Sequence, residues 1–260
     1  LQRFSKVYRD VTGLIGLIGL FGSIILYFDD IMEAFKGIHK DKECVVLTCG
    51  PSFTEYPKDV VKEFLKDKIV ICVKETVIEY SDEADYFISN GTRNRKFNNI
   101  NDKTIQIYQN DCCDTKSSNN PTICLDEDRS NFQRANQLLK KRNFDKYNFE
   151  NEKKRPWGPG ILYETVFYFC LYAGIKNVYT IGWDLIDTSN THKITHYFED
   201  STLDDYKSSE SWKDKDFKDE MKLVNDNIPH FYDYLKEKGM NLFVMGKQSY
   251  VNEHIPRKYL

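Results

Sequence analysis

"CVVLTCGPSFTEYPKDVVKEFLKDKIVICV", residues 44 to 73, decides the fold. Each end is a short run of Val, Ile, Leu and Cys: Cys44 to Thr48 and Ile69 to Val73. Continuous apolar runs of this length fit strands buried on both faces. Between them Val60, Val61, Phe64 and Leu65 recur at helical spacing, and Pro57 suits a first helical position. Residues 57 to 67 therefore read as an amphipathic helix. Strand, helix, strand at this spacing is a βαβ unit, which predicts a parallel sheet. The expected fold class is α/β and Rossmann-like, a mostly parallel sheet flanked by helices.

The rest of the globular part, residues 40 to 260, extends this pattern as a single domain. "ADYFIS" (84 to 89) predicts a third strand, ending in the turn signal Asn90-Gly91, and "TIQIY" (104 to 108) a fourth. Residues 109 to 128 read as polar loop, Ser130 to Lys141 as a helix, and 142 to 156 as a charged connector. Order returns with "WGPGILYETVFYFCLYAGIKNVYTIGWDL" (157 to 185). There Ile161 to Ala173 is a nearly all-apolar helix, buried on more than one side, with Gly174 as its C-cap. Asn177 to Ile181 is the next strand. Residues 186 to 215 read as loop. Phe217 to Lys238 has helical spacing interrupted by Pro229, which allows either one helix or two. "NLFVM" (241 to 245) is the last strand.

Seventeen Tyr, 17 Phe and 3 Trp in 260 residues supply a sizeable core. A net charge of -3, from 37 basic and 40 acidic residues, argues against a nucleic-acid partner. Seven cysteines include no CxxC pair, which argues against a zinc ribbon. Cys44, Cys72 and Cys170 lie in apolar runs and read as buried. Cys112-Cys113 is a candidate to pair with Cys124.

Residues 1 to 35 differ from the rest. "VTGLIGLIGLFGSIILYF" (11 to 28) carries no charge over 18 residues, about the minimum for a membrane-spanning helix. Gly13, Gly16, Gly19 and Gly22 make a small-residue stripe. Arg3, Lys6 and Arg9 precede it and Asp29 and Asp30 follow. The expectation is a single-pass anchor with a cytoplasmic N-terminus and a lumenal or external globular domain. A cleaved signal peptide or a buried helix is the alternative. The chain begins with Leu, so an upstream start is expected.

Four constellations are candidates for chemistry. Cys49-Gly50-Pro51-Ser52 follows the first strand, where a parallel sheet binds ligands, and reads either as a connecting turn or as an anion cradle. Gly158-Pro159-Gly160 opens the buried helix and reads either as an entry turn or as a second cradle. Asp184 follows a strand directly and suits a ribose or acceptor hydroxyl, a metal, or a turn cap. His192 and His196 with Tyr197 offer a general base, or surface histidines. The acidic pairs, such as Asp204-Asp205, read as solvated charge rather than a metal clamp.

The order of these motifs resembles the bacterial sialyltransferases of Rossmann-like fold and the related MptE-like proteins of surface-polysaccharide clusters. The resemblance rests on the Gly-Pro-Ser loop, on "YAGIKNVYTIGWDL", on "THYFED" and on "SYVNEHIPRK", in order over residues 43 to 258. It implies a metal-independent glycosyltransferase without cofactor, taking a nucleotide sugar (CMP-linked) and a glycan acceptor. Carried over, it places Gly50, Pro51, Ser52 and Gly160 around the nucleotide, with Gly158 and Asn90 nearby. It matches Asp184 to the family's Asp after the strand and Tyr197 to its aromatic loop. The sequence departs at Cys49, where the family has Asn. The family's catalytic His has no counterpart at its position, where Asp219 or Glu220 stands, so His196 and Glu220 are the candidate bases. The MptE-like alternative is Mg-dependent diphosphate transfer from ATP. A non-catalytic nucleotide- or glycan-binding domain is the third reading.

Overall fold

The computed structural model describes residues 32–90, 97, 100–109, 120–128, 136–156, 160–185 and 215–260, without the side chains of 136, 137, 215–218 and 220. Nine strands follow in chain order: β1 (Glu43–Leu47), β2 (Ile69–Val73), β3 (Tyr86–Asn90), β4 (Ile105–Gln109), β5 (Thr122–Leu125), β6 (Glu127–Asp128), β7 (Arg155–Pro156), β8 (Asn177–Ile181) and β9 (Asn241–Val244). Seven of them form one sheet in the order β5-β4-β3-β2-β1-β8-β9. Every neighbouring pair in it is parallel. β6 and β7 form a separate two-stranded ribbon.

The sheet is covered on both faces, which explains the unbroken apolar runs. Val45, Leu47, Val70, Cys72 and Phe87 point to one side, where they meet α1 (Lys58–Leu65) through Val61 and Leu65 and α2 (Thr76–Tyr80) through Val77 and Tyr80. Cys44, Val46, Ile71, Ile88 and Ile107 point to the other. That side takes α3 (Asn136–Lys141), α4, which runs as a π-helical turn Leu162–Val166 into Phe167–Tyr172, and α5 (Lys215–Glu237). Apart from Glu164 and Thr165, α4 is apolar all round because it meets other groups on several sides. Phe167 packs on Trp183 (ring centroids 5.3 Å) and Tyr168 on Phe231 of α5 (5.6 Å). Met32 and Phe35, assigned by sequence to the anchor's flank, sit in this same core.

Two expectations need correction, and one open alternative is decided. Residues 109 to 128 are not all loop, since β5 pairs with β4 from Gln106–Thr122 to Gln109–Leu125. "TICL" is too short and too polar at its edges to announce a strand without its partner. The connector 142 to 156 contains a fully buried cation. Arg155 donates to the carbonyl oxygens of Lys153 (3.1 Å), Tyr147 (3.0 Å) and Glu152 and lies 3.8 Å over the Phe149 ring. Burial lowers its pKa to about 10, so it stays charged at neutral pH. Finally, Pro229 does not split the late helix: α5 is continuous through it.

Cys44, Cys49, Cys72 and Cys170 are free and buried, and Cys124 is disulfide-bonded. Cys112 and Cys113 lie outside the described residues. Among the described residues no helix is long and apolar enough to cross a membrane. The expected anchor, 11 to 28, also lies outside them.

Candidate functional site

The chain fills the sheet outward from β1 to β5 and returns to place β8 on the other side of β1. This reversal is where an open parallel sheet forms a ligand crevice at its carboxyl edge. The Gly50–Ser52 turn after β1 and the Gly182–Asp184 turn after β8 meet there. Pro51–Glu55 forms a 3-10 turn with Gly50 at its N-cap.

The two turns continue the β1–β8 ladder beyond the strands. Thr48 N–H donates to Ile181 O (2.9 Å), Gly50 N–H to Gly182 O (2.8 Å), and Ser52 N–H to Asp184 Oδ2 (2.6 Å). Two glycines permit this approach. A Cβ on Gly50 would lie 2.3 Å from Gly182 O and 2.8 Å from Asp184 Cβ; one on Gly182, whose φ is +76°, would lie 2.3 Å from Thr48 O. The backbone donors that a phosphate cradle needs are therefore already committed. Pro51 has no N–H, and Phe53 N–H bonds Gly50 O.

What the edge leaves open is side-chain chemistry. Among the described residues, Ser52 Oγ, Asp184 Oδ1 and Asn90 Oδ1 are buried without a hydrogen bond of ordinary geometry. Such groups call for a better partner. Burial raises the Asp184 pKa above the ordinary carboxylate value, and the Ser52 amide with the neighbouring Ser52 and Ser249 hydroxyls offsets part of the rise. Asp184 thus caps the turn through Oδ2 and stands beside two serine hydroxyls. Asn90 ends β3, two strand spacings from β1, roughly 10 Å along the edge.

Gly160, at φ +101°, sits further along the edge. Its N–H donates to Glu164 Oε1 (3.0 Å), while Glu164 Oε2 accepts from Gln109 Nε2 at the end of β4 (2.8 Å). Thr165 Oγ1 donates to Gln109 Oε1 at 2.5 Å. This glycine amide too is occupied, by a carboxylate of its own helix. π-helical turns of the kind that follows often accompany functional sites.

The structure brings together Gly50, Pro51, Ser52 and Asp184, and aligns Asn90 and Gly160 on the same edge. Gly158, His196 and Tyr197 lie outside the described residues. Glu220 falls within α5 without a described side chain. Sequence reasoning missed Glu75, which is buried at the end of β2 beside Cys49. The Cys49 thiol donates to Glu75 Oε2 (3.4 Å) and Val73 O (3.5 Å). The signal was available, a Lys-Glu-Thr stop directly after "IVICV". Gln109 and Glu164 carried no signal, because they stand 55 positions apart and meet only in the fold. Among the described residues no cluster of three His, Cys, Asp or Glu side chains is placed to hold a metal ion.

No family model matches the chain, and no curated protein matches it. Solved structures do align with it. The MAf glycosyltransferase of Magnetospirillum magneticum AMB-1 aligns at TM-score 0.45 and 11% identity, over 93% of this chain and 39% of that one. This chain thus spans about two fifths of that protein's length. The sialyltransferase CstII of Campylobacter jejuni, solved with cytidine-5'-monophosphate, aligns at TM-score 0.39 and 13% identity, over 84% of this chain and 85% of that one. The alpha-2,3-sialyltransferase Cst-I of the same organism aligns at 0.41 and 11%, over 84% and 80%.

Proposed function

We propose that the chain is a glycosyltransferase that takes a nucleotide sugar, CMP-linked, and transfers its sugar to a glycan hydroxyl without a metal. The observation that carries this reading is the row of buried polar groups, Ser52 Oγ, Asp184 Oδ1 and Asn90 Oδ1, that lack a hydrogen bond of ordinary geometry among the described residues, at the carboxyl edge beside the strand-order reversal. The ordered resemblance to the sialyltransferase-like family supports it. The Gly50 and Ser52 amides are committed elsewhere, so we assign the donor to the side chains. Ser52 hydroxyl contacts the donor, and Asp184 holds the turn while offering Oδ1 to a ligand hydroxyl. His196 or Glu220 acts as general base on the acceptor in an inverting displacement. Residues 11 to 28 anchor the chain in a membrane, with the catalytic part on the lumenal or external side.

A nucleotide panel read by thermal shift, with and without Mg²⁺, tests this. Selective stabilisation by CMP or a CMP-sugar without metal is expected. Stabilisation by ATP only with Mg²⁺ would favour diphosphate transfer instead. One observation speaks for that second reading: Glu75 and Asp184 bring two carboxylates to the sides of Cys49–Ser52. No response to any nucleotide would leave a binding domain without this chemistry. For the residue roles, Ser52→Ala and His196→Ala are the decisive variants. Sugar transfer left intact in both would remove the assignment.

A further inference from the structure

Ser52 Oγ and Asp184 Oδ1 face the ligand in the reading above, yet both are buried. Part of what covers Ser52 is the turn after β9. Gly246 lies over Ser52 so closely that a Cβ on it would come 2.6 Å from Ser52 Oγ and 2.8 Å from Ser52 Cβ. The next two residues are tied to the turn below. Lys247 N–H donates to Glu55 Oε2 and Gln248 N–H to Glu55 Oε1, each at 2.8 Å. Glu55 is the last residue of the same 3-10 turn that begins at Pro51.

Both ends of this short span are fixed. Met245 N–H continues the pairing with β8 through Thr180 O (2.9 Å). Ser249 Oγ donates to Trp183 O (2.6 Å), and Arg257 Nη2 donates to Ser249 O (3.2 Å). Residues 246 to 248 therefore bridge two anchored points. Among the described residues, the only hydrogen bonds of Lys247 and Gln248 are those two to Glu55. Lys247 and Gln248 are exposed, so water can replace both bonds. Beneath the span, the Ser52 hydroxyl beside the Asp184 carboxylate is buried without a hydrogen bond of ordinary geometry, an arrangement that contact with a ligand would improve.

We propose that residues 246 to 248 form a cover over the Ser52 hydroxyl, latched by Glu55, and that a ligand reaches this hydroxyl only when the latch releases. The proposal rests on the reading of this edge as the ligand site, but the motion itself can be measured without any ligand. Ser52→Cys places a thiol of nearly the same shape beneath the cover. Its alkylation by iodoacetamide, followed by peptide mass spectrometry, reports opening. Adding Glu55→Ala should speed that labelling about tenfold, the change expected from losing a charge-assisted hydrogen bond. Glu55→Gln, which keeps one acceptor oxygen, should fall between. Cys44 and Cys72, fully buried in β1 and β2, serve as internal controls for general loosening.

Equal labelling rates with and without Glu55→Ala would overturn the cover. So would a rise matched at Cys44 and Cys72, since that reports unfolding rather than local opening. With Ser52 intact, Glu55→Ala should also raise the association rate of CMP. If labelling accelerates but CMP binds neither protein, the cover stands and the nucleotide reading falls. If CMP binds both at one rate while labelling accelerates, the ligand does not enter by this route and the proposal fails.

Discussion

Gly182 and Ser52 lie on the two sides of one contact and should respond in opposite ways to the same substitution. At Gly182 the chain turns at φ +76°, and an added Cβ would stand 2.3 Å from a backbone oxygen that cannot swing away. Gly182→Ala should cost at least about 2 kcal/mol in urea unfolding, through strain at that φ and loss of the ladder beyond the strands. Ser52→Ala removes a buried hydroxyl that stands beside Asp184 without a hydrogen bond of ordinary geometry among the described residues. Its stability should stay level or rise by up to about 1 kcal/mol, while stabilisation by CMP is lost. A stability loss in Ser52→Ala as large as that of Gly182→Ala would show that the hydroxyl has a partner in the folded chain. The sequence named Gly50, Ser52 and Asp184 and put them on the right edge, because turns after buried strands are local features. It did not show that Asp184 takes the Ser52 amide, since those two residues are 132 positions apart.

Among the elements, α5 shows how a helix can carry a proline. Pro229 lacks the N–H that would bond the carbonyl of Asn225 four residues earlier. That carbonyl is not left bare. Asn252 Nδ2 donates to it at 3.3 Å, while Asn252 N–H bonds Asn225 Oδ1 at 2.8 Å. The turn after β9 thus supplies from outside what the helix cannot supply itself. Asn252→Ala should cost about 1–2 kcal/mol in urea unfolding. In the Pro229→Ala background the restored N–H serves the carbonyl, so the same change should cost less. A double-mutant cycle with no coupling between positions 229 and 252 would refute this account. The sequence pattern allows a break at Pro229 because it shows the missing donor but not the substitute.

For the whole molecule, two buried groups pull its response to acid in opposite directions. His39, whose Nε2 lies 2.6 Å from Tyr86 Oη, is pushed by burial down to about 4. Asp85, which accepts from Val70 N–H at 2.9 Å, is pushed by burial up to about 6. As pH falls from 6.5 to 4 the unfolded chain takes a proton at His39 that the folded chain refuses, so the fold loses stability, by about 3 kcal/mol in full. Asp85 works the other way. The folded chain takes a proton near pH 6 that the unfolded chain takes only near 3.8, so the fold gains stability over that window. The two slopes oppose each other between about pH 6 and 4. Asp85→Asn should expose the His39 slope, making the urea midpoint fall steeply over that range, and His39→Gln should make it rise. Identical pH slopes in wild type and Asp85→Asn would contradict the balance.

The sequence by itself determined β1 to β4, β8, β9, α1 and the buried helix α4, in their order, but not α2 or β5 to β7. β1, β2, β8 and the buried helix before β8 were legible because burial on both faces writes itself into consecutive residues. It also determined that Gly50–Ser52 and Asp184 stand at strand ends. Tertiary structure decided what those residues do there. Hydrogen bonds across the β1–β8 junction consume the amides of the Gly50–Ser52 turn. Gly246 and the Glu55 latch close over its hydroxyl, and Asn252 repairs the helix at Pro229. Arg155, one charge among many in a polar connector, became a buried cation because the carbonyls of Tyr147, Glu152, Lys153 and Glu164 converge on it. Each of these outcomes depends on which polar groups meet in three dimensions. Periodicity records whether a residue is buried, but not which donor or acceptor it is buried against.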